Sequence, residues 1–115
     1  MKKLLDKEQT QHLFDLEVPE EKATTKLCGM RMEQYNVFSI TDLLSILPKE
    51  IMLDKEHGLD FGWDFYAKKW VARYCDEDCL CVYEEAQYYA EELIDALYEL
   101  LKWVMKNKII VFTRP

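Results

Sequence analysis

The chain has few residues that interrupt regular structure and no long apolar segment. It contains 3 glycines and 3 prolines in 115 residues, so nothing predicts a linker or an internal domain boundary. Charges interrupt every apolar run before about 18 residues, which argues against a membrane-spanning helix, and the charged N-terminal positions do not fit a secretory signal. We expect one cytoplasmic domain over residues 1–115, with no membrane partner and with reduced cysteines.

Positive charge is also scarce. Lys and Arg number 15 against 22 Asp and Glu, which gives a formal net charge of −7. The basic residues form no long run, and acids follow the short ones within a few positions. Such a surface repels phosphate backbones, so the composition disfavours nucleic acid as a partner.

No recognised catalytic, phosphate-binding or calcium-binding motif occurs in the sequence. His12 and His57 have no Ser or Cys at a spacing that suggests activation, and we interpret both as surface or turn residues. Cys75, Cys79 and Cys81 cluster around one acidic turn, whereas structural zinc sites usually have two such groups of ligands. We predict no catalytic residue, no cofactor and no metal site. Sequence alone does not decide whether these cysteines bind metal or form a disulfide.

Helical patterns occur in three places. Apolar periodicity and capping residues predict a short helix over residues 6–17 and another after Ser39, where Asp42 completes a capping box. Leucine and isoleucine recur at helical spacing over residues 93–104, which predicts the main core helix. Residues 19–38 lack a clear period. Residues 19–26 either begin a helix after Pro19 or cross the surface, and we expect a strand followed by a loop over residues 24–38.

Strands are predicted between the second and third helices. Leu59, Phe61, Trp63 and Phe65 alternate with more polar or smaller residues, a pattern typical of a strand with one buried face. Two further strands follow, over residues 70–75 and from Leu80 onward. The predicted fold is α+β: a three- to four-stranded antiparallel meander packed against a long C-terminal helix, with two short N-terminal helices.

Aromatic side chains exceed what one narrow core needs, since they make up 13% of the chain. Large aromatic residues often anchor protein interfaces. The leading hypothesis is therefore a non-enzymatic interaction module that binds another protein or forms a homodimer. The candidate interaction surface consists of Trp63, Trp70, Tyr88, Tyr89 and Trp103.

Two segments resemble parts of small proteins of unknown function encoded by gut bacteria and their phages or mobile elements. They are residues 38–51, FSITDLLSILPKEI, and residues 92–104, ELIDALYELLKWV. With the aromatic strands between them, the similarity spans nearly the whole chain. It implies a cytoplasmic single-domain protein, of prophage or mobile-element origin, and it assigns no functional residue.

Two other functions remain open. Asp60, Asp64 and Tyr66, or the cysteines, would form the site of a small-ligand binder or an enzyme if a polar pocket joined them. The net charge, taken with the mobile-element resemblance, also suggests an acidic nucleic-acid mimic or anti-defence protein.

Overall fold

The computed structural model describes residues 1–53, 55–76 and 82–112. Its α+β class agrees with the sequence prediction. The elements in chain order are α1 (Lys7–Asp15), a 3-10 helix (Glu20–Lys22), β1 (Thr25–Cys28), β2 (Gln34–Val37), α2 (Ile40–Ile46), β3 (Glu50–Met52), β4 (Glu56–Asp64), β5 (Lys69–Cys75), β6 (Val82–Ala90) and α3 (Leu93–Lys106).

The main sheet is an antiparallel meander in the order β3-β4-β5-β6. On β5, Trp70, Ala72 and Tyr74 point to one face because side chains alternate along a strand. The ring of Tyr74 lies 6.4 Å from that of Trp103 in α3, so this is the face that α3 covers. The helix packs against β5, β6 and α2.

The core centres on α3, as its apolar period predicts. Leu97 and Leu101 are fully buried, and so is Leu43 of α2, in the same cluster. Burial of one such side chain contributes roughly 1.5–3 kcal/mol. Among the described residues, no helix combines the length and apolar character needed to cross a membrane.

The prediction for residues 19–38 and for the order of the helices needs correction. β1 and β2 form a second, two-stranded sheet where a single strand and a loop were expected. Gly29 N donates to Glu33 O at 2.8 Å across the turn, and Met32 has a φ of 66°. Residues of β1 alternate only between half-buried and exposed, so no strong apolar period marks the hairpin. α2 follows this hairpin, so it is not an N-terminal helix.

The predicted capping box at Ser39 is present and is part of a larger network. Asp42 N donates to Ser39 Oγ at 3.1 Å, and Ser39 N donates to Asp42 Oδ2 at 3.0 Å. The Asp42 carboxylate also accepts the N–H of Thr24 at 3.1 Å and its hydroxyl at 2.8 Å. Asp42 is only 6% exposed, so these bonds join α2 to the start of the hairpin through a buried charge.

The prediction that His57 is a surface or turn residue is wrong. His57 is buried in β4, pairs with Ile51 of β3, and has Nδ1 2.8 Å from Lys55 O. Strand β3 has three residues and gives no sequence period, which is why the burial of its neighbour was missed. His12, by contrast, is exposed on α1, and its Nδ1 lies 2.8 Å from Tyr98 Oη.

Candidate interaction surface

Part of β4 carries aromatic side chains that α3 does not bury. Phe61 pairs with Ala72, and Trp63 pairs with Trp70, so all four share the face on which α3 lies. Ala72 is fully buried, whereas Phe61 is 41% exposed and Trp63 is 48% exposed, because α3 packs on β5 and β6. Phe61, Trp63 and Trp70 form what we name the aromatic patch.

The aromatic patch is held by ring packing as well as by the sheet. The Trp63 and Trp70 rings lie 5.7 Å apart at an interplanar angle of 74°, an edge-to-face arrangement favoured by aromatic quadrupoles. Both residues are in the antiparallel ladder, so their main chains are fixed by the strands. The patch is therefore a preformed surface and not a pair of mobile side chains.

Tyr88 shares the face of the aromatic patch, one strand farther from the edge. Its hydroxyl donates to Glu85 O at 3.2 Å, and the side chain is half-buried against the core. Burial, and then the nearby Glu99 carboxylate, raise the pKa of the Tyr88 phenol. Tyr88 thus stays neutral at physiological pH and lies opposite Ala72 on the same face as the patch.

The other two predicted surface residues lie elsewhere. Tyr89 points to the opposite face of the sheet, where its hydroxyl donates to Asp64 Oδ2 at 3.3 Å. Burial and the charge of Asp64 raise the pKa of Tyr89. Trp103 is half-buried on α3 beside Tyr74. The structure therefore brings Trp63 and Trp70 into contact and places Tyr88 on the same face, whereas Tyr89 lies on the other face and Trp103 lies on α3.

Asp60 and Asp64 lie on the opposite face of β4, as their spacing predicts, but each has a structural role. Asp60 Oδ2 accepts from Arg73 Nε at 2.9 Å. Asp64 Oδ1 accepts the N–H groups of Ala67 at 3.0 Å and Tyr66 at 2.9 Å in the β4–β5 turn. The Ala67 bond, followed by that of Tyr66, lowers the pKa of Asp64. Asp64 is therefore ionised and acts as an acceptor for the turn.

The geometry does not favour a catalytic pair or a pocket at these carboxylates. Asp60 and Asp64 are four residues apart on one strand, about 13 Å, whereas the paired catalytic carboxylates of glycoside hydrolases are about 5–9.5 Å apart. A cleft of about 380 Å³ lies between α1 and β2, with Lys7, Thr10 and Tyr35 in its lining. Neither aspartate lines that cleft.

The cysteine cluster lies only partly within the described structure. Cys75 is buried on β5, and Cys28 is exposed at the end of β1. Cys79 and Cys81 lie outside the described residues, so the metal and disulfide alternatives for that turn stay predictions. Within the described ranges, no group of three His, Cys, Asp or Glu side chains is arranged to hold a metal ion.

Sequence reasoning missed some exposed apolar residues. Phe61 follows the same alternation as Trp63 and could have been included on that signal. Met30 and Met32 are largely exposed at the β1–β2 turn, and no sequence period marks them. Of these, only Phe61 belongs to the aromatic patch, next to Trp63 on the same face of β4.

Comparisons with protein-family models, curated proteins and solved structures give no match to this chain. Function is therefore inferred from the surface of the described residues. Within that surface, exposed aromatic rings on a rigid sheet form a combination typical of protein–protein contacts.

Proposed function

We propose that the protein is a non-enzymatic, cytoplasmic interaction module that binds a partner protein through the aromatic patch. The supporting observation is the exposure of two large rings, Phe61 at 41% and Trp63 at 48%, side by side on a fixed strand. Apolar surface gains roughly 25 cal/mol per Å² on removal from water. A partner that covers both rings recovers this free energy.

The rigidity of the patch strengthens the proposal. Binding normally costs about 0.5–1.5 kcal/mol for each side chain that must be immobilised. Trp63 is already restrained by its edge-to-face contact with Trp70 and by the β4–β5 ladder. Little ordering is left for the bound state, so even a small patch supports a specific contact.

The other functions have weaker support. A catalytic role for Asp60 and Asp64 conflicts with their separation and with their roles in an ion pair and a turn. Mimicry of a phosphate backbone needs a long row of aligned carboxylates, whereas Asp60 is paired with Arg73 at 2.9 Å and Asp64 accepts hydrogen bonds within its own turn. The geometry thus favours a protein-interaction module over an enzyme or a nucleic-acid mimic.

Replacing Trp63 with serine is expected to weaken partner capture strongly while preserving the fold. Wild-type and variant protein, each tagged, are used as bait in lysate of cells that naturally produce the protein, and captured proteins are quantified by mass spectrometry. Aromatic anchors often contribute about 2 kcal/mol or more to the free energy of binding at an interface. A loss of ~1.4 kcal/mol weakens binding tenfold, so recovery of the partner with Trp63→Ser should fall at least tenfold.

Tyr89→Ser provides the matched control. Tyr89 is 41% exposed, close to the value for Trp63, but it lies on the other face of the sheet. The partner should be captured by Tyr89→Ser as by wild type. The proposal is contradicted if every captured protein is recovered equally with Trp63→Ser, or if both variants lose the same proteins.

A further inference from the structure

One edge of the main sheet is open next to the aromatic patch. Strand β3 pairs only with the first part of β4, from Glu56 to Gly58, and Lys49 O accepts the N–H of Leu59 at 2.8 Å. Beyond that point, β4 has β5 on one side, and no strand of the described chain lies on the other. The outward side of residues 60–64 is named here the open edge.

Backbone geometry shows which groups the open edge presents. In an antiparallel strand, successive N–H and C=O pairs point alternately to the two sides. The N–H of Leu59 points toward β3, so those of Phe61 and Trp63 point the same way, away from β5. Their N–H and C=O groups have no backbone partner within the described ranges. They form a ready template for one more strand.

The face opposite to the aromatic patch is open at Gly62. Gly62 lies between Phe61 and Trp63, and a Cβ built on it would meet nothing within 4 Å. Its side-chain position is on the face opposite to the aromatic patch. That face is therefore open at Gly62 to a side chain of an incoming strand.

The two sides of the open edge differ in chemistry. Phe61 and Trp63 lie on one face, and Asp60 and Asp64 lie on the other. Arg73 contacts Asp60 from the β5 side, and the Asp60 side chain is still 39% exposed. A paired strand places alternate residues on the two faces. Apolar residues fit one face, and basic residues fit the other.

A second copy of this chain is a poor match for the open edge. Two such edges can pair antiparallel and use the outward N–H and C=O groups of both Phe61 and Trp63. In that register, Gly62 faces Gly62 of the other copy, and Phe61 of one copy lies opposite Trp63 of the other. The same register sets Asp60 opposite Asp64 twice. Like charges directly opposite each other destabilise a sheet, and each copy carries a net charge of −7.

The geometry points to strand addition by a different chain: the open edge binds an extended partner segment in which apolar residues alternate with lysine or arginine. This inference rests on the proposed function and specifies how the partner binds. Backbone hydrogen bonds to Phe61 and Trp63 supply affinity, and the alternating side chains supply specificity. The apolar residues cover the aromatic patch, while the basic residues meet Asp60 and Asp64.

Fluorescent peptides of about nine residues, a length that covers one strand, test this inference on the intact protein. The first peptide alternates valine with lysine, and the second replaces each lysine with glutamate. The third has the sequence of the first, but N-methyl groups replace the backbone N–H groups that would pair with the open edge. Measured by fluorescence anisotropy, the lysine peptide should bind at least about tenfold more tightly than either of the others. Equal binding of all three peptides, or no binding of the lysine peptide, overturns strand addition.

Two protein variants separate backbone pairing from ring contacts. Phe61→Ala and Phe61→Pro both remove the ring, but only proline removes the outward N–H, and edge strands tolerate proline at such positions. The lysine peptide should bind Phe61→Pro at least about tenfold more weakly than Phe61→Ala. Equal affinity contradicts the inference. The N-methyl peptide gives the same test on unaltered protein if the proline variant does not fold.

The outcomes also distinguish this inference from the proposed function. If Trp63→Ser loses the captured partner but Phe61→Pro and Phe61→Ala retain it equally, the aromatic patch binds protein without strand addition. If Trp63→Ser changes no captured protein, the proposed function fails, and so does its extension. A concentration-dependent dimer that Phe61→Pro abolishes would make the occupant a second copy and overturn the proposal.

Discussion

Leu97→Ala is expected to lower the free energy of unfolding by about 2–5 kcal/mol. Leu97 is fully buried near the middle of α3, in the cluster that joins the helix to the main sheet and to α2. Removing three heavy atoms from this position leaves a cavity that a close-packed core fills only in part. Urea denaturation followed by circular dichroism measures the difference.

Met30→Ala is the control for this core substitution. Met30 is fully exposed at the β1–β2 turn, so its truncation should change the free energy of unfolding by less than about 0.5 kcal/mol. A loss below about 1 kcal/mol for Leu97→Ala would mean that α3 does not pack on the sheet as described.

Asp42→Ala is expected to lower the free energy of unfolding by about 2–4 kcal/mol. The carboxylate accepts bonds from both the N–H and the hydroxyl of Thr24 and from the N–H of Ser39. Alanine removes the acceptor and leaves these donors without their present partner in a largely buried place. Thermal and urea unfolding of wild type and variant give the loss directly.

The same carboxylate makes stability depend on pH. Burial raises the pKa of Asp42, but the hydrogen bonds from Ser39 and Thr24 outweigh burial, and the net pKa is lowered. Its contribution is therefore complete above the unfolded carboxyl value of about 4 and is lost as pH falls through the lower folded value. We expect the stability gap between wild type and Asp42→Asn to narrow from about pH 6 to about pH 3.

Asn is the suitable comparison here because it keeps the size of Asp42 and cannot ionise. A stability gap that stays constant across this pH range would contradict the role assigned to the ionised carboxylate. A gap near zero at both ends would show that the Thr24 and Ser39 contacts contribute little.

The sequence predicts the elements whose side-chain period is long and clean. α3 repeats apolar residues over 14 positions, and the alternation of Leu59, Phe61 and Trp63 indicates β4. The predicted strand also included Phe65, which is wrong, because β4 ends at Asp64 and Phe65 lies exposed in the turn that follows. β3 is too short to show a period, and its pairing depends on a contact with His57. The sequence predicts His57 as a surface or turn residue, yet it lies within β4, because local residue type does not reveal strand pairing.

The candidate site is predictable only in part, for a similar reason. Alternation places Trp63 and Trp70 on apolar faces of their strands, and the ladder then pairs them. Their exposure depends on where α3 crosses the sheet, which is a tertiary property. Tyr88 and Tyr89 are adjacent in sequence and so must point to opposite faces, a constraint that would have removed one of them from the predicted surface.

The open edge beside the aromatic patch is tested most directly by amide hydrogen exchange of the free protein, resolved by NMR. The N–H groups of Phe61 and Trp63 point outward, whereas those of Asp60 and Gly62 point to β5. We predict that the first two exchange at least about 100-fold faster than the second two at low protein concentration. Equal protection of all four amides would show that the edge is already covered and would contradict the account.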